Sequence, residues 1–423
     1  MRWAILAFMF FLYVINFADK AIAGYAAVSI TEEFGLTPLQ WGLVGSSFFW
    51  SFVISNIFGS TLSDRFGTRK MITIMAISWT ILQFGAFAIT NLQLLIAYRI
   101  LLGIFEGPFF ATAIAQLNHW FPAKSRGMAT SILNFGGVVG GLVCAPILVY
   151  LIETFGWKIS FGSLGFVSLL WTILWVWLGK ERPDESSEEV AKAPIIKEKE
   201  NLKTILSSMF SLTFLVTLFA GFTVYWYLSW IQVWMPSFLI KAKALSTSEM
   251  SYVASLTGLL AGLVTISISI FSDYLFKKNS SYRKSRVLVA GFTFFIGAAL
   301  FYSMTEIHSI AWTIAVLILG KGCLSAVFVM GPHISSSLLP QRTSLMIGTF
   351  AGVSTIAGVV GPIVSGNLVQ AAGKDIVQGY DNTILMVVGL SIIAGILLIA
   401  FAKPDNEVKK KQKLMDETEQ QAL

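Results

Sequence analysis

Charge is scarce in this chain: Asp, Glu, Lys and Arg make up 13% of 423 residues, whereas hydrophobic residues make up 55%. About a quarter of a soluble domain is charged, so this balance excludes an ordinary solvated surface. Cysteine is nearly absent. Cys144 and Cys323 both lie in apolar stretches, which excludes a disulfide scaffold and reads as small packing residues. The three histidines, His119, His308 and His333, have no carboxylate or cysteine at ligand spacing, so no metal site is expected. Glycine-rich phosphate loops are missing, and no nucleophile, base and orienting group converge, which argues against an enzyme. A cleavable leader is not expected either. The first apolar run is too long, contains Asp19 and Lys20, and is followed by no small-residue cleavage site.

What is abundant is apolar length. Mean hydropathy is +0.73, and stretches of about 20 residues, enough to cross about 30 Å of hydrocarbon, recur along the chain. They fall near 3–24, 41–62, 71–90, 92–117, 127–151, 158–179, 207–230, 250–272, 286–305, 309–331, 345–371 and 382–402. Twelve transmembrane helices are therefore expected in an all-α integral membrane protein. The net charge of +7 does not point to nucleic acid. With an even number of spans the termini share one side, and that side collects Arg2, Arg65, Arg69, Lys70, the linker bases and "KKKQK", which assigns it to the cytoplasm. These bases fit contact with the anionic heads of a lipid bilayer.

Between the sixth and seventh spans the composition changes to "GKERPDESSEEVAKAPIIKEKENLK", dense in both charge signs. Residues 1–179 are thus read as a first six-helix bundle, 180–206 as a cytoplasmic linker, 207–402 as a second bundle and 403–423 as a cytoplasmic tail. The halves echo one another. "GSTLSDRFGTRK" (59–70) is matched by "SISIFSDYLFKK" (267–278), "FPAKSR" by "LPQR", and Pro146 by Pro362, all at nearly one offset. Such echoes imply two pseudo-symmetric bundles from a duplication, with a site near the midplane.

"GSTLSDRFGTRK" resembles the loop signature of the major facilitator superfamily. "YRILLGIFEGPFFATAIAQLNHWFP", with Arg126 and "ETFGWKISF", is similar to its anion:cation symporter family of organic anion and sugar acid carriers. The resemblance covers nearly the whole chain for the superfamily and chiefly the first half for the symporters. It implies a secondary transporter moving a small organic anion with protons by alternating access; no cofactor and a monomer are expected, and the short extramembrane segments and lack of a targeting peptide favour a bacterial cell membrane.

Charges inside spans are expensive and functional by default. They are Asp19 and Lys20 in span one, Arg99 and Glu106 in span four, and Lys321 in span ten. Arg99 and Glu106 are seven residues apart, two turns, and so share a face. The resemblance implies that Asp19 and Glu106 are the proton-coupling acids and that Arg99 pairs with Asp19. It also implies that the base after the aspartate touches the substrate carboxylate. That base is usually Arg and here is Lys20, a point charge without the planar fork. A buried structural ion network is the competing reading of the same four residues. Lys321 is expected to clasp the substrate from the second half, the alternatives being snorkelling or a pair with Glu106. From "YWYLSWIQVWMP", Tyr225, Trp226 and Gln232 are candidate cavity residues. His333 is left outside the proton path. Asp64, Arg65 and Arg69, with Asp273 in the second copy, resemble the family's interdomain latch, an acid set against a neighbouring helix N-terminus.

Sugar-acid carriers of this group place tyrosines near Phe17 and Phe52 and an amide near Gly137, whereas this chain has Phe, Phe and Gly. A site short of hydrogen-bond partners disfavours sugar hydroxyls, which turns the expectation towards a less hydroxylated carboxylate, aromatic or short-chain. A proton-driven exporter is the runner-up, and the excess of cavity bases opposes it. A transporter-like sensor lacks an appended signalling domain in this sequence.

Overall fold

In hydrocarbon every backbone N–H and C=O must find a partner inside its own segment, so apolar runs close into helices. The structure, a computed structural model, describes residues 1–181, 202–307 and 309–407, and all regular elements among them are helical. The long helices are α1 Arg2–Tyr25, α2 Pro38–Phe66, α3 Thr68–Ala88, α4 Leu92–Trp120, α5 Ser125–Phe155 and α6 Trp157–Leu178. They continue as α7 Leu212–Val233, α8 Thr247–Asn279, α9 Arg283–Glu306, α10 Ile310–Leu338, α11 Leu345–Ala371 and α12 Ile376–Phe401. Eleven of them satisfy length and hydropathy for crossing a membrane; α2, 29 residues long, occupies the place of the second expected span. Span seven begins later than the sequence suggests, because Leu202–Met209 forms a separate short helix before the break at Ser211. Most of the 180–206 linker, the end of the tail and His308 lie outside the described residues.

Local signals set the ends. Thr37 and Gln40 form a reciprocal capping box ahead of Pro38, and Asn91 and Ser309 cap α4 and α10 through their side chains. Arg126 donates to the carbonyls of Asn118 and Phe121, covering acceptors at the C-terminus of α4.

Chain contacts divide the molecule into two compact units. The first holds the first six long helices together with Ser229–Leu259 and Gly358–Tyr380; the second holds most of the remainder. In the first unit α4 lies against α2, where a Cβ on Gly103 or Gly107 would meet Phe48, Phe52 and Ser55. Ser51 and Ser55 reinforce that contact by donating to the carbonyls of Ile100 and Gly103, at 2.6 and 2.9 Å. Gly140 sits against the Val14 carbonyl within a π-helical turn, Val139–Val143, and brings α5 onto α1.

The same unit carries a seam at the end where α1 runs into α2. Trp41 donates to the Val233 carbonyl (3.1 Å), Trp234 to that of Pro362 (3.3 Å), Ser46 to that of Val359 (2.6 Å) and Ser255 to that of Leu142 (2.6 Å). Each donor thereby reaches from one helix to the backbone of another, with indole and hydroxyl groups satisfied out of water.

At this end Glu33 accepts from Trp157 Nε1 at 2.5 Å and lies 3.0 Å from Lys158 Nζ, tying the short helix Ala27–Glu33 to α6. Burial pushes the Glu33 carboxyl up, but these two partners outweigh it and hold it below the ordinary carboxylate value. A depressed folded value means stabilisation that is present above the unfolded value and lost as pH falls through the folded one. Glu33→Gln is therefore expected to lower the melting temperature at pH 7, by an amount equivalent to about 1 kcal/mol or less for so exposed a pair. The difference from wild type should close below about pH 4; a difference of equal size at both pH values would show that the carboxylate charge is irrelevant.

Candidate functional site

Asn16 and Lys20 are four residues apart and so lie one above the other on α1, while Asp19 adjoins them on the same buried side. Against them α4 sets Arg99 and Glu106. Asp19 is 0% exposed, Glu106 1% and Arg99 5%. Lys20 Nζ donates to Asn16 Oδ1 at 2.8 Å and lies 3.3 Å from Glu106 Oε2. Its ammonium stands 4.8 Å from the ring centroid of Phe17, 4.9 Å from that of Phe52 and 5.9 Å from that of Phe48. The Arg99 guanidinium lies 4.8 Å from the centroid of Phe48.

One expectation is corrected. The Asp19–Arg99 ion pair implied by resemblance is not formed; the pair present is Lys20–Glu106. Lys20 is turned about 100° from Asp19 around the helix and steered by Asn16, so it reaches Glu106. Arg99 instead lies over a ring face, which attracts a guanidinium through its quadrupole. Both oxygens of Asp19 and the Nε and Nη1 atoms of Arg99 are buried with no hydrogen-bond partner among the described residues. An unpaired buried acid and base side by side are costly, and such groups are kept where function needs them.

Lys20, Gly24, Trp41, Arg99 and Gln232 line a small pocket in the first unit, so Gln232 stands beside two site cations. The other candidates belong to the second unit. Tyr225 is half-buried with its ring 6.0 Å from Phe328, and Trp226 is buried with its ring 6.0 Å from Phe222. Lys321 is buried and forms no ion pair among the described residues; Glu106 is engaged by Lys20.

Of the latch residues, the side chain of Asp64 lies outside those described. Arg65 stands over Phe66, and Arg69 donates to the Val176 carbonyl at 2.9 Å. Among the described residues Glu181 is set against a helix N-terminus and accepts from the backbone N–H groups of Thr68 (2.8 Å) and Arg69 (3.2 Å). In the second unit Asp405 does the same for Tyr282 (2.9 Å) and Arg283 (3.1 Å), and Arg283 donates to the Ile399 carbonyl as Arg69 does to Val176. Asp273 pairs with Arg286 at 2.5 Å.

Sequence reasoning missed Asn16, Gln83, Glu181 and Asp405. Gln83 is fully buried in α3 and accepts from the Tyr98 hydroxyl at 3.4 Å. Amides inside apolar spans are a usable signal that a search for charge passes over. The two capping acids each follow a span end within a few residues beside a lysine and a proline, "KERP" and "AKPD".

Charges buried between the spans of a helical membrane protein mark a path for a substrate or ion by default. The chain belongs to the Major Facilitator Superfamily, whose family pattern it matches over residues 9–330 and 279–422. It is 29% identical over 409 residues to the hexuronate transporter of Bacillus subtilis, covering 95% of this chain and 94% of that protein. It is 28% identical to a probable sulfoacetate transporter of Cupriavidus necator, covering 95% and 94%. Among solved structures it is similar to a bacterial homologue of the human lysosomal transporter Spinster, inward-facing and unoccupied, with a TM-score of 0.79 at 18% identity over 95% of this chain and 97% of that one. A D-xylose–proton symporter gives 0.75 at 16% identity, covering 96% and 99%. The likeness to known transporters thus extends over the full architecture, and the chain is a multi-pass membrane transporter.

Proposed function

We propose that this transporter takes up a small organic acid into the cytoplasm together with protons, as a monomer with cytoplasmic termini in a bacterial membrane. The observation that carries the reading is Lys20, held between Asn16 and Glu106 with Asp19 and Arg99 buried beside it. Protonating Glu106 removes the charge opposing Lys20, which then holds the substrate carboxylate with Arg99. Asp19 is the second acid, and its neutral form leaves Arg99 free for the anion. Release on the far side restores the Lys20–Glu106 pair and discharges the protons. A monoanion moving with two protons carries one positive charge, which gains about 2.3 kcal/mol per 100 mV. The relatives carry acids, hexuronate and sulfoacetate by their names, and with Asp19 and Glu106 protonated the site keeps two cations, Lys20 and Arg99, for such an anion.

The test uses full-length protein in liposomes with a pH dye inside and a panel of sugar acids, aromatic acids and short carboxylates outside. At least one acid should acidify the lumen, and Asp19→Asn should abolish acidification while leaving unlabelled-for-labelled exchange of that acid measurable. Proton efflux driven by an organic cation, with no response to any acid, would show an antiporter instead.

A further inference from the structure

A neutral amide sits among the charges of α1 and α4. Gln83 on α3 is 0% exposed, and its Nε2 atom is buried with no hydrogen-bond partner among the described residues. It lies next to the Asp19 carboxyl, both of whose oxygens are buried and unpartnered too. The charged and titratable groups facing that carboxyl are Lys20 on α1 and Arg99, Glu106 and Tyr98 on α4. A donor lacking an acceptor thus adjoins an acceptor lacking a donor, and each is costly to keep so inside a protein.

The amide is aimed. The Tyr98 hydroxyl donates to Gln83 Oε1 at 3.4 Å, a long bond that occupies the carbonyl end and leaves the NH2 end for a neighbour. Both side chains are backed by α6. A Cβ on Gly165 would lie 3.0 Å from the Cβ of Gln83, so α6 sits against the root of the amide. The Phe161 ring meets the Tyr98 ring edge-on at 5.9 Å, and Thr80, on α3 just before Gln83, donates to Ser168 at 3.1 Å.

An ionised carboxylate only accepts, and an N–H donor to it makes a charge-assisted bond about twice as strong as a neutral one. A protonated carboxyl must also place its own O–H, and the amide carbonyl that could accept it is taken by Tyr98. The pinned amide therefore suits Asp19 as an anion better than as an acid.

We propose that Gln83 is a positioning residue for proton coupling: aimed by Tyr98, its amide receives the Asp19 carboxylate once that acid has discharged its proton. Arg99, lying over Phe48, does not supply this partner. The assignment rests on the proposed proton-coupled reading of Asp19 and adds the group that holds its charged form.

The test is an infrared pH titration of the full-length protein in lipid with no substrate added, following the carboxylic-acid C=O band that Asp19→Asn removes. Gln83→Met keeps the length and loses the amide, so Asp19 loses its donor and stays protonated to higher pH. The midpoint of the band should rise by about one pH unit. Tyr98→Phe frees the amide to turn its carbonyl towards the acid, and the midpoint should rise by less. Thr80→Val cuts the bond to Ser168 but leaves the amide, and the midpoint should stay where it is. A melting temperature shows which variants are folded, and Tyr98→Phe, which removes a single oxygen, carries the test if Gln83→Met is not. With no substrate or gradient present, a transporter that is not proton-coupled gives the same titration and is exposed only in the liposome assay, by acid uptake without acidification. An unchanged midpoint in Gln83→Met, or in Tyr98→Phe where that variant stands in for it, would overturn the assignment. So would an equal shift in Thr80→Val, or the absence of any band that Asp19→Asn removes.

Discussion

Replacing Lys20 by methionine is expected to lower the rate of acid uptake by about two orders of magnitude and to destabilise the fold, because it leaves the Glu106 carboxylate buried without its counter-charge. Glu106 is 1% exposed and has the Lys20 ammonium at 3.3 Å as its only ion-pair partner among the described residues. Methionine preserves length and contact with Phe17 and Phe52, so the loss reports charge rather than packing. The decisive comparison adds Glu106→Gln to Lys20→Met. If the pair only holds α1 and α4 in register, the double variant should recover both melting temperature and equilibrium binding of the acid, since replacing both partners of a buried pair by neutral groups is often neutral. If Lys20 also holds the substrate, melting recovers and equilibrium binding of the acid does not; uptake is lost in either case if Glu106 couples the proton, so binding is the discriminating readout. Lys20→Arg keeps the charge and brings the fork usual in the resembling family. It is expected to retain binding, and its melting temperature reports whether the three rings leave room for the wider head.

Much of this organisation is legible in the sequence because hydrocarbon is a strict solvent. Apolar length alone locates the spans, and the cost of charge at depth singles out Asp19, Lys20, Arg99, Glu106 and Lys321. Spacing gives the shared face of Arg99 and Glu106. What spacing cannot give is the choice of partner. Asp19 and Lys20 are adjacent, and a rotation of α1 by one residue would decide which of them meets Arg99 and which meets Glu106. That rotation is set by tertiary packing of Gly140 on Val14 and of Tyr25 on the Gly141 carbonyl, at 2.7 Å. Asn16 then selects the Lys20 rotamer from four residues away.

The capping acids were hidden for a different reason. Glu181 and Asp405 lie in charge-dense segments where composition suggests only solvated linker and tail, yet each satisfies two N–H groups at the start of a helix distant in sequence. A hydrogen bond across more than 100 residues leaves no periodic trace. The parallel arrangement in the two units, with Arg69 on α3 donating to a carbonyl near the end of α6 and Arg283 on α9 to one near the end of α12, follows the pairing of the sequence echoes. It supports a duplicated origin for the halves.

Substituting Gly24 by leucine is expected to abolish uptake, by about 100-fold or more, while sparing equilibrium binding of the acid, because the seam can no longer close. Gly24 on α1 faces the carbonyl of Gln232, and Gly42 and Gly45 on α2 face the Pro362 carbonyl and the Val233 side chain, each so closely that a Cβ would collide. These contacts, with the indole bonds of Trp41 and Trp234, leave no room for a side chain in the conformation described. In the alternating-access cycle that the proposed function entails, the same surfaces separate once per turnover. A leucine at 24 clashes only when the seam is shut, so it biases the equilibrium towards the open seam by its full steric cost, and a population that never closes cannot turn over. Val233, 5% exposed, reports the state. With Cys144 and Cys323 replaced by serine, a cysteine at 233 should react slowly with maleimide in the Gly24 background and much faster beside Gly24→Leu. Unchanged labelling together with lost uptake would instead place the defect in the binding pocket that Gly24 shares with Lys20 and Arg99, and the binding measurement would then fall with it.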